Sequence, residues 1–312
     1  MTILSQTKTE LFKSWRFQQG FGQILLYVIL SFVGFFILFP FYYMVVSSLR
    51  EPFYNFDRLT LDLLPSAFNL AGYIKIFSTQ VPGAEAKSIS ALLHGFVNTL
   101  FLEATIVIGS TFLNALAAYA FAKREFPGKQ FLFSVLLVTI ILPGEVTLLP
   151  KYVMFHKVGL LGTFWALILP SLTGVFGIFL IRQFMSTIPD ALLEAARLDG
   201  ASEFQVVTRL VMPLAIPAMA TYALFTFLGV WNDLMGPLIF VNKPGKWTLQ
   251  LALYYFTASY TFQYGSAYQD SEGIRMQTLF AGLIISALPT ILIFVIFQRQ
   301  LVSGITLTGL KG

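Results

Sequence analysis

The chain contains no cysteine, which excludes disulfides, thiolate nucleophiles and any metal site built on sulfur. Charge is nearly as scarce: Asp, Glu, Lys and Arg make up 11% of the 312 residues, against about 25% in an ordinary soluble domain. So few charges cannot cover a water-facing surface in the usual way. No GxxxxGKS/T segment is present, so the chain has no loop of the kind that cradles a nucleotide's phosphates. The basic residues are scattered through short connectors and form no stripe, which argues against a nucleic-acid surface. Period-two alternation over strand-length segments is also missing, which argues against a transmembrane barrel.

What the chain has instead is apolar bulk. Hydrophobic residues make up 56% of it, with 33 Phe and 13 Tyr, and the mean hydropathy is +0.75. Charge-free runs cover residues 17–49, 158–181, 210–232 and 276–297, and two further runs carry one acid each, 94–122 with Glu103 and 130–150 with Glu145. A crossing needs roughly 20 helical residues, and only helices satisfy their own backbone groups in lipid. The expected fold is therefore all-α, a polytopic membrane protein with six transmembrane helices. Residues 247–269 are also uncharged, but Gln250 and Gln263 among several Ser, Thr and Tyr make them a poorer span. The first run lacks a small-residue cleavage site and reads as an uncleaved helix.

With the N-terminus placed in the cytoplasm, that side collects eleven of the 20 bases but six of the 15 acids. The connector from Ala122 to Lys129 carries the clearest positive-inside bias. Both termini then lie inside. Residues 1–20 form a cytoplasmic segment and 21–312 a membrane domain. The external connector 50–93 is too short for a core of its own and is apolar enough at Leu70, Tyr73 and Phe77 to rest on the membrane surface.

Between the fourth and fifth spans the pattern changes. In the cytoplasmic segment 184–212, Pro189 can open a helix at its first position with Asp190 in the first turn. A short helix over 190–198 makes Leu193, Ala196 and Arg197 neighbours. Gly200 ends it, with the freedom to take a positive φ. Ser202 and Gln205 then fit a capping box for a second helix ending near Pro213. Such a pair can rest on the bilayer or dock on a protein. Its mixed charges (Glu194, Arg197, Asp199, Glu203, Arg209) suit a protein interface better than an anionic lipid surface.

The spacing Glu194-Ala195-Ala196, Gly200, Leu210, Met212 and Pro213 resembles the cytoplasmic loop of ABC importer permeases. Asp199 and Ala201 beside Gly200, Pro217, Trp231-Asn232-Asp233 with Pro237-Leu238, the last span 281–300 and the ending Lys311-Gly312 resemble the carbohydrate-importer, maltose-permease-like branch of the type I importer fold. Leu210 and Met212 replace the usual Ile and Leu, and Thr308-Gly309-Leu310 replaces the usual Gly-Ala-Val.

The resemblance implies a bacterial or archaeal inner-membrane translocation subunit for sugars or related solutes. Its partners would be a homologous second permease, two cytoplasmic ATPases and an external solute-binding protein. ATP and magnesium would belong to the ATPases, and no cofactor or metal to this chain. Glu194, Ala195, Ala196, Arg197, Asp199, Gly200 and Pro213 would form the ATPase-coupling element: Glu194 makes a polar contact, the two alanines allow close approach, and Gly200 makes the turn. A permease for a non-sugar solute is the alternative, and a secondary transporter or a scaffold a more distant one. No internal repeat supports a secondary transporter.

Other residues leave two readings open. Glu103 is a pore or gate residue, or a helix-packing one; intramembrane acids are functional candidates by default. Glu145, between Pro143 and Pro150, marks a broken helix or a simple kink. Trp231 belongs to an aromatic belt or faces the solute, and Asn232 and Asp233 bind hydroxyls or cap a helix. Thr306, Thr308, Lys311 and Gly312 form a loose end or, by the resemblance, a regulatory tail near the ATPases.

Overall fold

The computed structural model describes residues 3–51, 63–65, 67–78, 90–241, 243–265 and 276–309, with side chains left undescribed at 3–22, 244, 259–265 and 299–309. Every described element is helical. In chain order these are α1 (Ile3–Ser48), α2 (Ala71–Ser78) and α3 (Ala91–Lys123), then α4 (Lys129–Thr139), α5 (Gly144–Lys157) and α6 (Trp165–Met185). After these come α7 (Asp190–Leu198), α8 (Glu203–Leu214), α9 (Ile216–Trp231), α10 (Met235–Phe240), α11 (Leu249–Gly265) and α12 (Met276–Gly309).

Four helical stretches are long and apolar enough to cross a membrane: Gln23–Ser48, Ala91–Lys123, Trp165–Met185 and Met276–Gln298. Two bent pairs, α4 with α5 at 100° and α8 with α9 at 79°, raise the number to six if each is one span. The all-α membrane fold is as expected, with four clear spans and the expected six reached when each bent pair is counted as one. The α4–α5 break falls at Pro143-Gly144, where proline cannot continue the helix. The α8–α9 bend falls at Ala215, between Pro213 and Pro217.

Three boundaries differ from the expectation. The run 158–181 begins as a loop whose Gly159 and Gly162 have φ of 71° and 74°. Its helix starts only at Trp165 and is interrupted at 172–174, just after Pro170. The helix after Ser202 does not stop at Pro213: it runs to Leu214 through a π-helical stretch, Val206–Val211. Met212 N–H bonds to Val207 five residues back, a wider turn that lets the helix pass a proline ring which would crowd the carbonyl four residues before it. Pro189 stands at the N-cap, extended at ψ 133°, so that Asp190 and not the proline opens the helix.

The bundle is organised by α3, which packs on α6, α9 and α11. Two further contacts set the periphery, α1 on α12 and α2 on α12. The membrane-crossing window of α1 buries nothing against the rest of the chain; its Phe, Leu and Ile side chains face outward, as lipid-facing positions do. Burial begins only at Val46, Ser47 and Ser48.

Three apolar clusters fill the interior. One gathers Ala115, Ala118, Tyr119, Ile181, Met185, Val206, Val211 and Leu193 at the α7 end. A second joins Trp231, Trp247, Leu249, Phe256 and Leu279 at the other end. A third joins Leu102, Ile106, Phe155, Leu167 and Phe240.

Candidate functional site

The α7 element is built from short-range signals. Its helix closes in a Schellman arrangement: Ala201 N–H bonds to Ala196 O and Gly200 N–H to Arg197 O, both at 3.0 Å. The turn needs Gly200 at φ +85°, a backbone conformation that costs an L side chain about 1–2 kcal/mol. The next helix opens on a complete capping box, with Ser202 accepting from Gln205 N–H and the Gln205 side chain accepting from Ser202 N–H.

One face of α7 holds it to the bundle. Leu193 is 1% exposed and sits in the first apolar cluster, with Ala196 and Ala201 packed beside it. Glu194, Ala195 and Leu198 point away from that face and are exposed, Leu198 at 89%. Arg197, one turn on from Leu193 and on its side of the helix, and Asp199 and Gly200 of the closing turn are exposed as well. The two alanines therefore have different roles. Ala195 leaves room on the open face, whereas the small size of Ala196 serves packing within the chain. Pro213, also assigned to coupling from sequence, lies on α8 and is exposed.

Polar contacts tie both ends of α7 to α3, and three of the residues involved, Tyr119, Lys123 and Arg124, were not among the candidates read from sequence. At the α7 N-terminus, the Lys123 ammonium, its side chain 5% exposed, donates to Asp190 Oδ1 at 2.8 Å and to the Ile188 carbonyl. That bond and charge hold the Asp190 carboxyl below its ordinary range. At the C-terminus, Glu203 accepts from the Tyr119 hydroxyl and pairs with Arg124 at 2.6 Å and Arg197 at 3.4 Å. The Glu203 bond raises the Arg197 guanidinium further above its already high range. Close by, Arg182 donates from Nε to Phe121 O at 3.0 Å and lies 4.1 Å over the Phe133 ring.

Further along α3, buried Asn114 joins three elements. Its amide nitrogen donates to Ser110 O and approaches the Tyr222 hydroxyl at 2.9 Å, and its oxygen accepts from Gly174 N–H at the interruption of α6. The Gly174 N–H at the interruption thus finds its partner inside the protein, as a break at membrane depth requires.

Toward the far end lies a cavity of about 390 Å³. Thr99, Leu102 and Ile106 of α3, Gly144, Glu145, Leu148 and Lys151 of α5, Pro170 and Ser171 of α6, and Asp233 and Gly236 at the start of α10 line it. Two of the five pore candidates, Glu145 and Asp233, line this cavity, and Lys151 adds a basic group to the wall.

The other three do not line it. Glu103 is 4% exposed, and neither carboxylate oxygen has a partner among the described residues. Trp231 is 1% exposed, donates from Nε1 to Ser286 O at 3.0 Å, and stacks on Phe227 at 5.6 Å. It is a packing anchor between α9 and α12. Asn232 is exposed, and its side chain bonds back to Leu228 O. Asp233 caps α10 by accepting from Gly236 N–H. Thr306 and Thr308 lie on the last turns of α12, while Lys311 and Gly312 fall outside the described residues. Among the described residues no group of His, Asp or Glu could hold a metal ion.

The model of the binding-protein-dependent transport system inner membrane component matches residues 110–307. The chain belongs to this family. The match takes in α7, its polar partners Tyr119, Lys123, Arg124 and Glu203 and most of the cavity wall, and leaves α1 and α2 outside. Curated family relatives match over most of their length. The arabinooligosaccharides transport system permease protein AraQ of Halalkalibacterium halodurans is 28% identical over 98% of this chain and 99% of its own. The osmoprotective compounds uptake permease protein GgtD of Synechocystis sp. is 33% identical over 71% and 72%. Among solved structures, a bacterial ABC transporter involved in import of the acidic polysaccharide alginate superposes with TM-score 0.77 at 22% identity, over 91% of this chain and 97% of that one. This last likeness shows the fold.

Proposed function

We propose that the chain is the membrane-spanning translocation subunit of an ATP-driven carbohydrate importer, coupled to a cytoplasmic ATPase through α7. One observation carries this reading: a nine-residue helix fixed to the bundle by Leu193 and by ties at both ends, with Ala195 and Leu198 left bare on the opposite face. Apolar side chains at a water-facing end suit a protein partner that covers them. The clustering of Lys123, Arg124, Lys129, Arg182, Arg197 and Arg209 at this end supports a cytoplasmic location for it, and for both termini.

In this reading a second permease completes the pathway, two ATPases hold ATP and magnesium, and an external binding protein delivers the solute. Glu194 makes a polar contact in the ATPase cleft, and Ala195 allows the close approach. ATP-driven closure of the ATPases then moves α7 and biases the bundle between two states. The cavity at the far end faces the solute path. Glu145 and Asp233 accept hydrogen bonds from solute hydroxyls, and Lys151 supplies a donor. The names of the relatives support a sugar, and GgtD, named for osmoprotective compounds, supports the second reading of a small non-sugar solute.

The test is reconstitution of the importer with its neighbouring-gene partners, followed by ATP-driven uptake across a panel of arabino-oligosaccharides, maltose, alginate oligosaccharide and glycine betaine. Uptake of a saccharide with the ATPase retained by the permease is the expected result. Uptake of glycine betaine alone would replace the solute and keep the coupling. No retention of an ATPase would end the coupling assignment.

A further inference from the structure

Resting on that coupling reading, we propose that Tyr119, Lys123, Arg124 and Glu203 form a two-point clamp that makes α7 and α3 one rigid body, so that displacement of α7 by the ATPase is delivered along α3 to the cavity. The apolar seat of α7 cannot do this alone. Leu193 lies near the middle of a nine-residue helix, and hydrophobic contact is non-directional. On such a pivot a short helix between four-residue connectors can roll or swing. Hydrogen bonds constrain direction as well as distance, and here they act at both ends.

Lys123 fixes the entry, bonding one side chain and one backbone carbonyl, Asp190 and Ile188. Glu203 fixes the exit, where its carboxylate accepts from Tyr119, Arg124 and Arg197, with Arg197 also 3.4 Å from the Tyr119 hydroxyl. Three of the four clamp residues lie within the last turns of α3 and the residue after it, so both points grip the same helix end. Single exposed ion pairs contribute little unless several charges form a network, as Arg124, Arg197 and Glu203 do around Tyr119, which is 4% exposed. The separate Lys123–Asp190 pair has its ammonium side chain 5% exposed.

The far part of the same helix reaches the cavity. Thr99, Leu102 and Ile106 line it, about 13 to 20 residues and therefore about 20 to 30 Å from Tyr119 at 1.5 Å per residue. The helix between them holds no proline and runs unbroken through Gly109-Ser110, a pair of the kind at which helices kink, so a push at one end meets no break along the way.

These residues position α7 and touch neither solute nor nucleotide, so the test needs a readout beyond stability. In the full importer carrying Glu145→Cys as the only cysteine of this chain, the reaction rate of a polar maleimide at residue 145 is measured with and without ATP plus vanadate. Retained ATPase and trapped ADP are measured alongside. The intact clamp gives a vanadate-dependent change in rate. Glu203→Gln or Lys123→Met reduces that change, and the pair removes it, while ATPase and trapped ADP stay at the level of the intact chain. Tyr119→Phe, which keeps the ring and drops one donor, gives a partial loss and serves where the double variant fails to insert.

Full retention of the rate change in the variants overturns the proposal. So does loss of the ATPase from them, since the residues would then shape the docking surface and not the transmission. Failure of the intact chain to retain any ATPase removes the coupling reading itself.

Discussion

Substitution at Gly200 separates backbone from side-chain effects at the proposed docking turn. Nothing lies within 4 Å of where a Cβ would stand, and φ is +85°. A Cβ there meets no clash, so the cost of alanine is conformational alone. For alanine that cost is about 1–2 kcal/mol, a factor of roughly 5–30 in the population of the native turn. Valine, β-branched, is a worse fit to positive φ, whereas asparagine enters this region readily. The expected order of ATPase retention by the solubilised permease is glycine, then asparagine, then alanine, then valine, with asparagine within a few-fold of glycine. Titrating purified ATPase against each variant, with span insertion checked by proteolysis, measures it. Equal retention by Gly200→Asn and Gly200→Val refutes the reasoning. Where that equality comes from asparagine being as damaging as valine, the refuting cause is a side chain that obstructs the partner.

Leu193→Ala should lower stability by about 2–5 kcal/mol, the usual cost of emptying a buried leucine site. Leu198→Ala should leave thermal unfolding in detergent unchanged and weaken ATPase retention. Asp190, whose carboxyl is held below its ordinary range by the Lys123 hydrogen bond, gives a pH signature. The tie contributes fully above the ordinary carboxylate range and is lost as pH falls through the lowered value. Hydrogen exchange around residues 188–192 should therefore rise on acidification, and Asp190→Asn should flatten that dependence. Gly177→Ala would place a Cβ 2.5 Å from the Tyr222 ring, which overpacks the site by about 1–3 kcal/mol; a fall in the apparent unfolding midpoint checks it.

The parts legible in the sequence are those set by local chemistry. The bounds of α7 follow from Pro189, Asp190 and Gly200, and the start of α8 from Ser202 and Gln205, because each signal acts within a few residues. Span positions follow from hydropathy, and the α4–α5 break from Pro143. The interruption at 172–174 was not foreseen, although Pro170 and Gly174 flank it, because an uncharged run shows length and not continuity. The clamp was hidden for another reason. Lys123 and Arg124 read as sidedness signals, while their partners lie 67 and 79 residues further along the chain. Trp231 illustrates the same limit: an aromatic at a span end suggests an interfacial belt, and only the packing of α9 against α12 brings the Ser286 carbonyl to it. Glu145 and Asp233 were each named singly; what brings them to one cavity is the folding of α5 against the turn after α9.

The most direct measurement is a site-specific crosslink from the bare face of α7. A single cysteine at Ala195, in a chain with no other, is loaded with a photoactivatable maleimide in the assembled importer. A second sample carries the probe at Ile108, which is 71% exposed on the membrane-crossing part of α3. Illumination should join residue 195 to a cytoplasmic ATPase subunit, with a yield that changes between nucleotide-free and vanadate-trapped states, while residue 108 gives no ATPase adduct. An adduct at 195 with lipid or with the external binding protein, or labelling of that cysteine by an impermeant reagent from outside intact cells, would contradict the account.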